Sequence, residues 1–216
     1  MYTDEARQQM VGQQIRTWDV FDADVLRVMA DVARDRFVPA ELKEAAYADA
    51  EIPLAHHQCM LRPSIAGKII QSLSIRPGDE VLEVGTGTGY LTACLAQLAA
   101  SVTSVDIFAD FVAIAGEALA DSDIRNVKLQ QMDAMTELPS GRFDAIAVTG
   151  SVTKLEDRFV KALKPGGRLF IVVGKSPAMT ALLIAADEHG GVTTNELFET
   201  DIPALISSEE ESSFIF

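Results

Sequence analysis

The spacing of apolar positions changes near residue 77. Upstream, hydrophobic residues recur every three or four positions: Met10, Val11 and Ile15, then Val25, Met29 and Val32, then Ile65, Ile69 and Leu73. That rhythm predicts short amphipathic helices, each with one buried stripe. Their starts are marked as well. Thr3, followed by Asp4 and Glu5, reads as an N-cap, Asp22 as a second, and Pro63 opens a third helix, where its missing N–H costs nothing. Between them, Phe37-Val38-Pro39 leads into a short helical stretch through Tyr47, and residues 51–62 read as an extended run.

Downstream of Pro77-Gly78, nearly continuous apolar runs alternate with helical patterns. Strands are predicted at 80–84, 102–105, 127–129, 145–148 and 169–173, with helices at 90–98, 111–119 and 155–163. Strands apolar on both faces and separated by helices predict an α/β protein: a mostly parallel sheet covered on both sides. Gly190-Gly191 divides the runs 180–186 and 192–198. That pattern suits an antiparallel C-terminal hairpin at the sheet edge, although the first run fits a helix equally well.

A chain of 216 residues suits a single domain and can bury a core without disulfides or metal. No run approaches the roughly 20 apolar residues of a membrane span. Residues 1–16 lack the apolar stretch and small-residue cleavage site of a signal peptide. Cys59 and Cys94 are far apart, and the three histidines show no ligand spacing. Reduced thiols, a cytoplasmic location and no metal centre are the expectation. Eighteen basic against 32 acidic residues leave a net charge of −14, and the basic residues are scattered. Such a chain repels phosphate backbones, so neither nucleic acid nor membrane is an expected partner. Glu209, Glu210 and Glu211 read as a solvated run, and Phe214-Ile215-Phe216 as a tail that docks or stays loose.

The chemistry concentrates at 80–90. A strand ends at Val84, glycines follow at 85, 87 and 89, and a helix begins near Tyr90. Glycines there let backbone N–H groups approach a ligand at a helix N-terminus. A dinucleotide fingerprint requires its last glycine at position 90, where this chain has Tyr90. Glu83, just before the turn, would repel a pyrophosphate but suits the ammonium and sulfonium of S-adenosylmethionine. Asp106 ends the next strand about 20 residues on, where a carboxylate accepts hydrogen bonds from ribose hydroxyls of either cofactor. Asp133 follows the third strand and has two readings, a partner for the adenine amino group or an Asx-turn residue. Asp144 and Gly166-Gly167 read as structural, and Cys94, on the helix after the glycine turn, as core.

With these residues in view, the chain resembles the protein-L-isoaspartate O-methyltransferase family along nearly its whole length. The matching segments are Met10-Val11 with Gln13-Gln14-Ile15-Arg16, Phe37-Val38-Pro39, Ala46-Tyr47 with Asp49, Ile52-Pro53-Leu54, Arg76-Pro77-Gly78-Asp79, and positions 81–90. The resemblance implies a Rossmann-like methyltransferase fold in one domain over 1–216. Its parts would be a helical extension and substrate-side loop at 1–62 and a cofactor-binding core at 63–216. It implies an S-adenosyl-L-methionine pocket built from Glu83, Gly85, Thr86, Gly87, Asp106, Ile107, Asp133 and Ala134, and a substrate cleft lined by 51–65. The implied acceptor is the carboxylate of an isoaspartyl residue in a polypeptide, or another carboxylate. Such an acceptor is already ionised near neutrality and demands no general base.

One loop departs from the family. Where the family typically reads Gly-Gln-Thr-Ile-Ser-x-Pro, with serine and threonine hydroxyls at the acceptor, this chain reads His57-Gln58-Cys59-Met60-Leu61-Arg62-Pro63. Leu61 stands at the serine position and cannot hydrogen-bond a carboxylate. Arg62 has two readings, a compensating charge or a solvated surface residue. His56 and His57 either line the cleft or are ordinary loop residues. Two other functions stay open from sequence: methyl transfer to a different acceptor, and a catalytically silent cofactor-binding homologue.

Overall fold

The computed structural model describes residues 2–207, so the acidic run at 209–211 and the terminal aromatic residues lie outside the described residues. Helix α1 (Tyr2–Gln9) passes directly into a π-helical turn, Met10–Ile15, which buries Met10, Val11 and Ile15. Thr3 lies inside α1 and is not its cap; Asp4 and Glu5 still complement the positive end of the helix. Helix α2 (Ala23–Asp31) is capped as expected. Asp22 Oδ1 accepts from the amides of Asp24 at 2.9 Å and Val25 at 3.1 Å.

Residues 51–62 are not extended throughout. Strand β1 (Ile52–Pro53) turns back through the short helical turn Ala55–His57 to pair with β2 (Cys59–Met60). The reversal comes from His56 and His57, whose φ values of 57° and 56° bend the chain through the left-handed region. Helix α3 (Pro63–Leu73) follows with proline at its first turn, and Ile65, Ile69 and Leu73 are buried.

The core is one seven-stranded sheet. In chain order its parts are β3 (Glu80–Val84), α4 (Tyr90–Ala96), β4 (Ser101–Asp106), α5 (Ala109–Asp121), β5 (Val127–Gln131), β6 (Phe143–Val152), α6 (Asp157–Lys161), β7 (Leu163–Lys175), β8 (Ala178–Ala186) and β9 (Val192–Thr200). Across the sheet the order is β5-β4-β3-β6-β7-β8-β9; the first five strands are parallel and the last two antiparallel. The helical alternative for 180–186 is ruled out, because β8 pairs along its length with both β7 and β9. The helix expected at 155–163 shrinks to five residues, since Leu163 is drawn into β7 opposite Phe143. Sheet pairing of this kind overrides local helical spacing.

Side chains alternate across the sheet into two apolar layers. Val81, Ala145, Ala147 and Phe170 pack with the N-terminal helices, against Met10, Ile15, Met29 and Ile69. Leu82, Val84, Ile146, Val148 and Ile171 face the other layer, with Phe159 of α6. No helix among the described residues is long and apolar enough to cross a membrane.

Arg168 of β7 ties the two halves of the chain together. It donates to the carbonyls of Leu73 at 2.6 Å, Ser74 at 2.8 Å and Asp144 at 3.1 Å, and to the carboxylate of Asp79. Arg168 and Asp79 are nearly buried, with side chains 13% and 9% exposed, so removing the arginine leaves Asp79 with the Arg76 amide and no cation to balance its charge. Arg168→Ala is expected to lower unfolding free energy by about 3 kcal/mol, as for a broken buried ion pair. Urea denaturation checks this; a loss below about 1 kcal/mol would mean that water or other donors satisfy Asp79.

Candidate active site

The strand order reverses at β3, which has β4 on one side and β6 on the other. Open α/β sheets bind ligands at the carboxyl ends of the strands flanking such a point. Here the loop after β3 is the glycine turn. Gly85 has φ +97°, and a Cβ on it would sit 2.2 Å from Thr149 Oγ1, so only glycine fits. The turn is tied to β4 by the Gly85 amide, which donates to the Val105 carbonyl at 2.8 Å. Asp106 completes the tie. Its Oδ2 accepts from the Gly87 amide at 2.9 Å and its Oδ1 from the Phe108 amide at 3.0 Å. Each oxygen keeps acceptor capacity toward the cavity that Asp106 helps to line. Burial raises the Asp106 pKa above its ordinary value, and the two amide hydrogen bonds oppose that shift.

One cavity joins this turn to the β1–β2 hairpin. On the turn side it is lined by Gly85, Thr86, Gly87, Asp106, Ile107 and Ala134, all expected there. On the hairpin side Cys59 and Leu61 reach it, with Met60 between them. Cys59 is no nucleophile at neutral pH: burial and the neighbouring Glu51 push its thiol up to about 12.

Four expected site residues lie elsewhere. Glu83 does not line the cavity; its side chain is fully buried between β4 and α4. There its Oε2 accepts from the hydroxyl of Thr92 and from Ser104 Oγ at 2.6 Å, while Oε1 has no partner. Thr86 of the turn is 2.7 Å from the same Ser104 hydroxyl, so Glu83 acts on the turn from behind rather than on a ligand charge directly. Asp133 sits beside the cavity, not in its wall. Its Oδ1 accepts from the Met135 amide at 2.9 Å, the Asx-turn reading, and its Oδ2 from Ser207 Oγ at 3.1 Å. Arg62 points out of the cavity into an outer groove, 3.6 Å from Glu51, so the compensating-charge reading does not hold for its present position. His57 is exposed at the hairpin tip, away from the lining.

Sequence spacing missed several wall residues. Arg34 is fully buried, with Nε donating to the Ala46 carbonyl at 2.9 Å, Nη2 to the Leu61 carbonyl at 2.7 Å, and Nη1 unpartnered. Its guanidinium lies 4.8 Å from the ring centre of Tyr90, and both residues line the cavity. Arg34 is followed by Asp35 and Arg36, and the sequence carries no signal that separates the buried arginine from its neighbour. Phe108 and Phe111 form another wall. Pro203, Leu205 and Ile206 arrive from the chain's far end, where Leu205 and Pro203 hydrogen-bond the backbone of Ser151, and no local pattern announces them. Among the described residues no histidine, cysteine and carboxylate side chains group as a metal site.

A mostly parallel sheet with a glycine turn at its switch point and an acidic residue closing the next strand is the Rossmann-like arrangement that binds a nucleoside. The model of the Protein-L-isoaspartate(D-aspartate) O-methyltransferase family (PCMT) matches residues 5–208. The chain is 36% identical over 205 residues to Protein-L-isoaspartate O-methyltransferase 1 of Rhodopseudomonas palustris (strain HaA2), covering 94% of this chain and 84% of the other. It is 33% identical over 190 residues to the Protein-L-isoaspartate O-methyltransferase of Gloeobacter violaceus, covering 88% and 93%. The chain therefore belongs to the protein-L-isoaspartate O-methyltransferase family. The fold agrees with a Plasmodium falciparum structure described as a protein-L-isoaspartate O-methyltransferase in complex with S-adenosyl-L-homocysteine. The TM-score is 0.81 at 22% identity, covering 93% of this chain and 98% of that one.

Burial raises the Glu83 carboxyl to about 7, well above its value of roughly 4.3 in an unfolded chain. The folded protein therefore holds that proton more tightly than the unfolded chain. The sign follows: the contribution is fully present below the unfolded value and is lost as pH rises toward 7. Glu83→Gln keeps the shape without the titration. Its stability relative to the parent is expected to improve by about 3 kcal/mol between pH 4 and pH 8, at 1.36 kcal/mol per pKa unit. Denaturation at both pH values measures the difference, and a pH-independent gap would show that Glu83 titrates as it does when unfolded.

Proposed function

We propose that this protein transfers the methyl group of S-adenosyl-L-methionine to the free α-carboxylate of an isoaspartyl residue in a damaged polypeptide. The observation that carries this reading is the single cavity joining the glycine turn and Asp106 to the Cys59-Met60-Leu61 wall, in a chain that matches the family over nearly its full length. The residues fit the donor. Gly87 leaves the floor open, since even a Cβ there would come no closer than 3.8 Å to Leu54 across the cavity. Asp106 faces the same space with acceptor capacity to spare, as the two hydroxyls of a ribose require.

Bound S-adenosyl-L-methionine supplies a sulfonium methyl electrophile, and the chain's residues have three tasks around it. Asp106 and the Gly85–Gly87 backbone fix the nucleoside end. The β1–β2 hairpin with Leu54, Gln58 and Met60 excludes water above it. The third task is to hold an acceptor oxygen in line with the methyl group, and positioning of that kind is worth about 7–11 kcal/mol of barrier. No side chain has to remove a proton, because the acceptor carboxylate, with a reference pKa of about 3.5 to 4, is already ionised. Leu61 offers that carboxylate no hydrogen bond. The cation closest to hand is Arg34, fully buried behind the cavity wall, whose Nη2 holds the Leu61 carbonyl and whose Nη1 has no hydrogen-bond partner. In this reading Arg34 and backbone amides take over from the hydroxyl that Leu61 lacks.

The same reading places the protein in the cytoplasm, where the free thiols Cys59 and Cys94 stay reduced, with a polypeptide rather than nucleic acid or membrane as partner.

Calorimetric titration with S-adenosyl-L-methionine, followed by methyl transfer to an isoaspartyl peptide beside its aspartyl twin, tests the reading. Binding with transfer to the isoaspartyl peptide alone is expected. Binding without transfer to either peptide would point to a different acceptor, which the apolar Met60 and Leu61 would favour. Asp106→Ala is expected to weaken S-adenosyl-L-methionine binding at least tenfold, because hydrogen bonds to a charged group contribute about 1.5–3 kcal/mol. Unchanged affinity would remove Asp106 from the pocket.

A further inference from the structure

The β1–β2 hairpin forms one wall of the cavity through Leu54, Gln58, Cys59 and Met60, yet it consists of only two residue pairs. A two-stranded ribbon that short does not hold its shape alone. Its tip is also strained: His56 and His57 both occupy the left-handed region, at φ 57° and 56°, which non-glycine residues disfavour. The tip must therefore be held from outside. The strands are anchored by Ile52 and Met60, both buried in the core, while the tip is fastened to the opposite wall by three contacts of one side chain. The His56 ring lies flat on Phe108, with ring centres 3.9 Å apart and planes 5° from parallel. It meets Phe111 edge-on at 5.5 Å. Its Nε2 is 2.8 Å from Asp110 Oδ2.

The partners decide what this contact can do. Phe108 and Phe111 line the cavity on the same side as Asp106, and the Phe108 amide is itself held by Asp106 Oδ1. The His56 ring thus bridges the hairpin to the segment that carries the ribose-binding carboxylate. The contact is also easy to undo, because the side chains of His56 and Asp110 are 38% and 50% exposed. Exposed pairs of this kind contribute modestly and exchange readily with water. An aromatic stack adds attraction without locking the ring irreversibly.

We propose that His56 is a positioning residue, a latch that fastens the hairpin over the nucleoside end of the cavity and sets how long the methyl donor and its demethylated product stay bound. The proposal rests on the methyltransferase reading above. While the latch is fastened, the strained tip is offset by the stack on Phe108 and the hydrogen bond to Asp110. When the ring lifts, His56 and His57 relax, the tip swings aside while the strands stay anchored, and the nucleoside can leave. His56 touches neither donor methyl nor acceptor in this role, so its loss changes exchange rather than the chemical step.

The test measures S-adenosyl-L-homocysteine affinity by calorimetry and its release rate by stopped-flow displacement, in the full chain and in His56→Ala, His56→Phe and Asp110→Asn. His56→Ala is expected to release the product at least fivefold faster and to raise its Kd by a similar factor. His56→Phe keeps the stack and Asp110→Asn keeps a polar partner, so both are expected to fall between His56→Ala and the parent. In turnover with an isoaspartyl peptide, KM for S-adenosyl-L-methionine should rise in His56→Ala while kcat holds or increases. Release rates within twofold of the parent in His56→Ala would overturn the latch. Loss of cooperative thermal unfolding in that variant would also overturn it, because the ring would then be holding up the fold rather than gating exchange. A parent protein that binds no S-adenosyl-L-homocysteine would instead sink the methyltransferase reading itself.

Discussion

The site depends on one hydrogen bond across the switch point, from the Gly87 amide to Asp106 Oδ2. It joins the loop after β3 to the end of β4, the two strand ends between which a nucleoside must lie. The Gly85 amide, bonded to the Val105 carbonyl, adds a second tie at the same place. Together they hold the backbone of the turn open toward the cavity. Asp106 is buried, with each oxygen engaged by a backbone N–H, so it arrives at the site already aimed. A carboxylate fixed in this way loses little freedom when a ligand's hydroxyls bind to it.

Behind that tie stands a second layer. Thr86, Ser104, Glu83 and Thr92 form a chain of hydroxyls around one buried carboxyl. Glu83 sits where water does not reach, so its proton is held up to about pH 7 and the acid serves the turn from inside the sheet. The front of the cavity is built differently. There a two-pair hairpin, a strap from the chain's far end and two phenylalanines enclose the space, and their contacts are largely exposed or apolar. The back of the site is therefore a buried polar network, and the front is assembled from segments that come from both ends of the chain.

Family membership and local chemistry pull apart at the acceptor end. The chain keeps the fold and the nucleoside side, yet Leu61 replaces a hydroxyl and Arg62 turns outward to Glu51. Arg34 lies beneath the same loop, gripping the carbonyl of Leu61 and stacked on Tyr90. A buried guanidinium with one unpartnered nitrogen is costly unless something completes its hydrogen bonding. That cost motivates the proposed pairing with an anionic acceptor.

Much of the molecule was legible in the residues alone. Period-3.6 stripes marked α2 and α3, the run at 80–84 marked the central strand, and the glycine spacing with Tyr90 at the last position separated a methyl-donor turn from a dinucleotide one. The place of Asp106 beside the glycine turn was legible because the end of the next strand lies next to that turn in any such sheet. All of these are local: spacing, caps and turn chemistry act over a few residues and leave their mark in order along the chain. What only the tertiary structure decided was which way side chains face once distant segments meet. Glu83 points away from the cavity because α4 and β4 close over it, and Arg62 leaves the cavity because Glu51 lies outside. Arg34, Phe108 and the 203–206 strap line the cavity because segments up to about 170 residues apart in sequence converge there. Sequence spacing carries the period of an element, but the direction of a buried polar group is set by partners that the chain supplies from elsewhere.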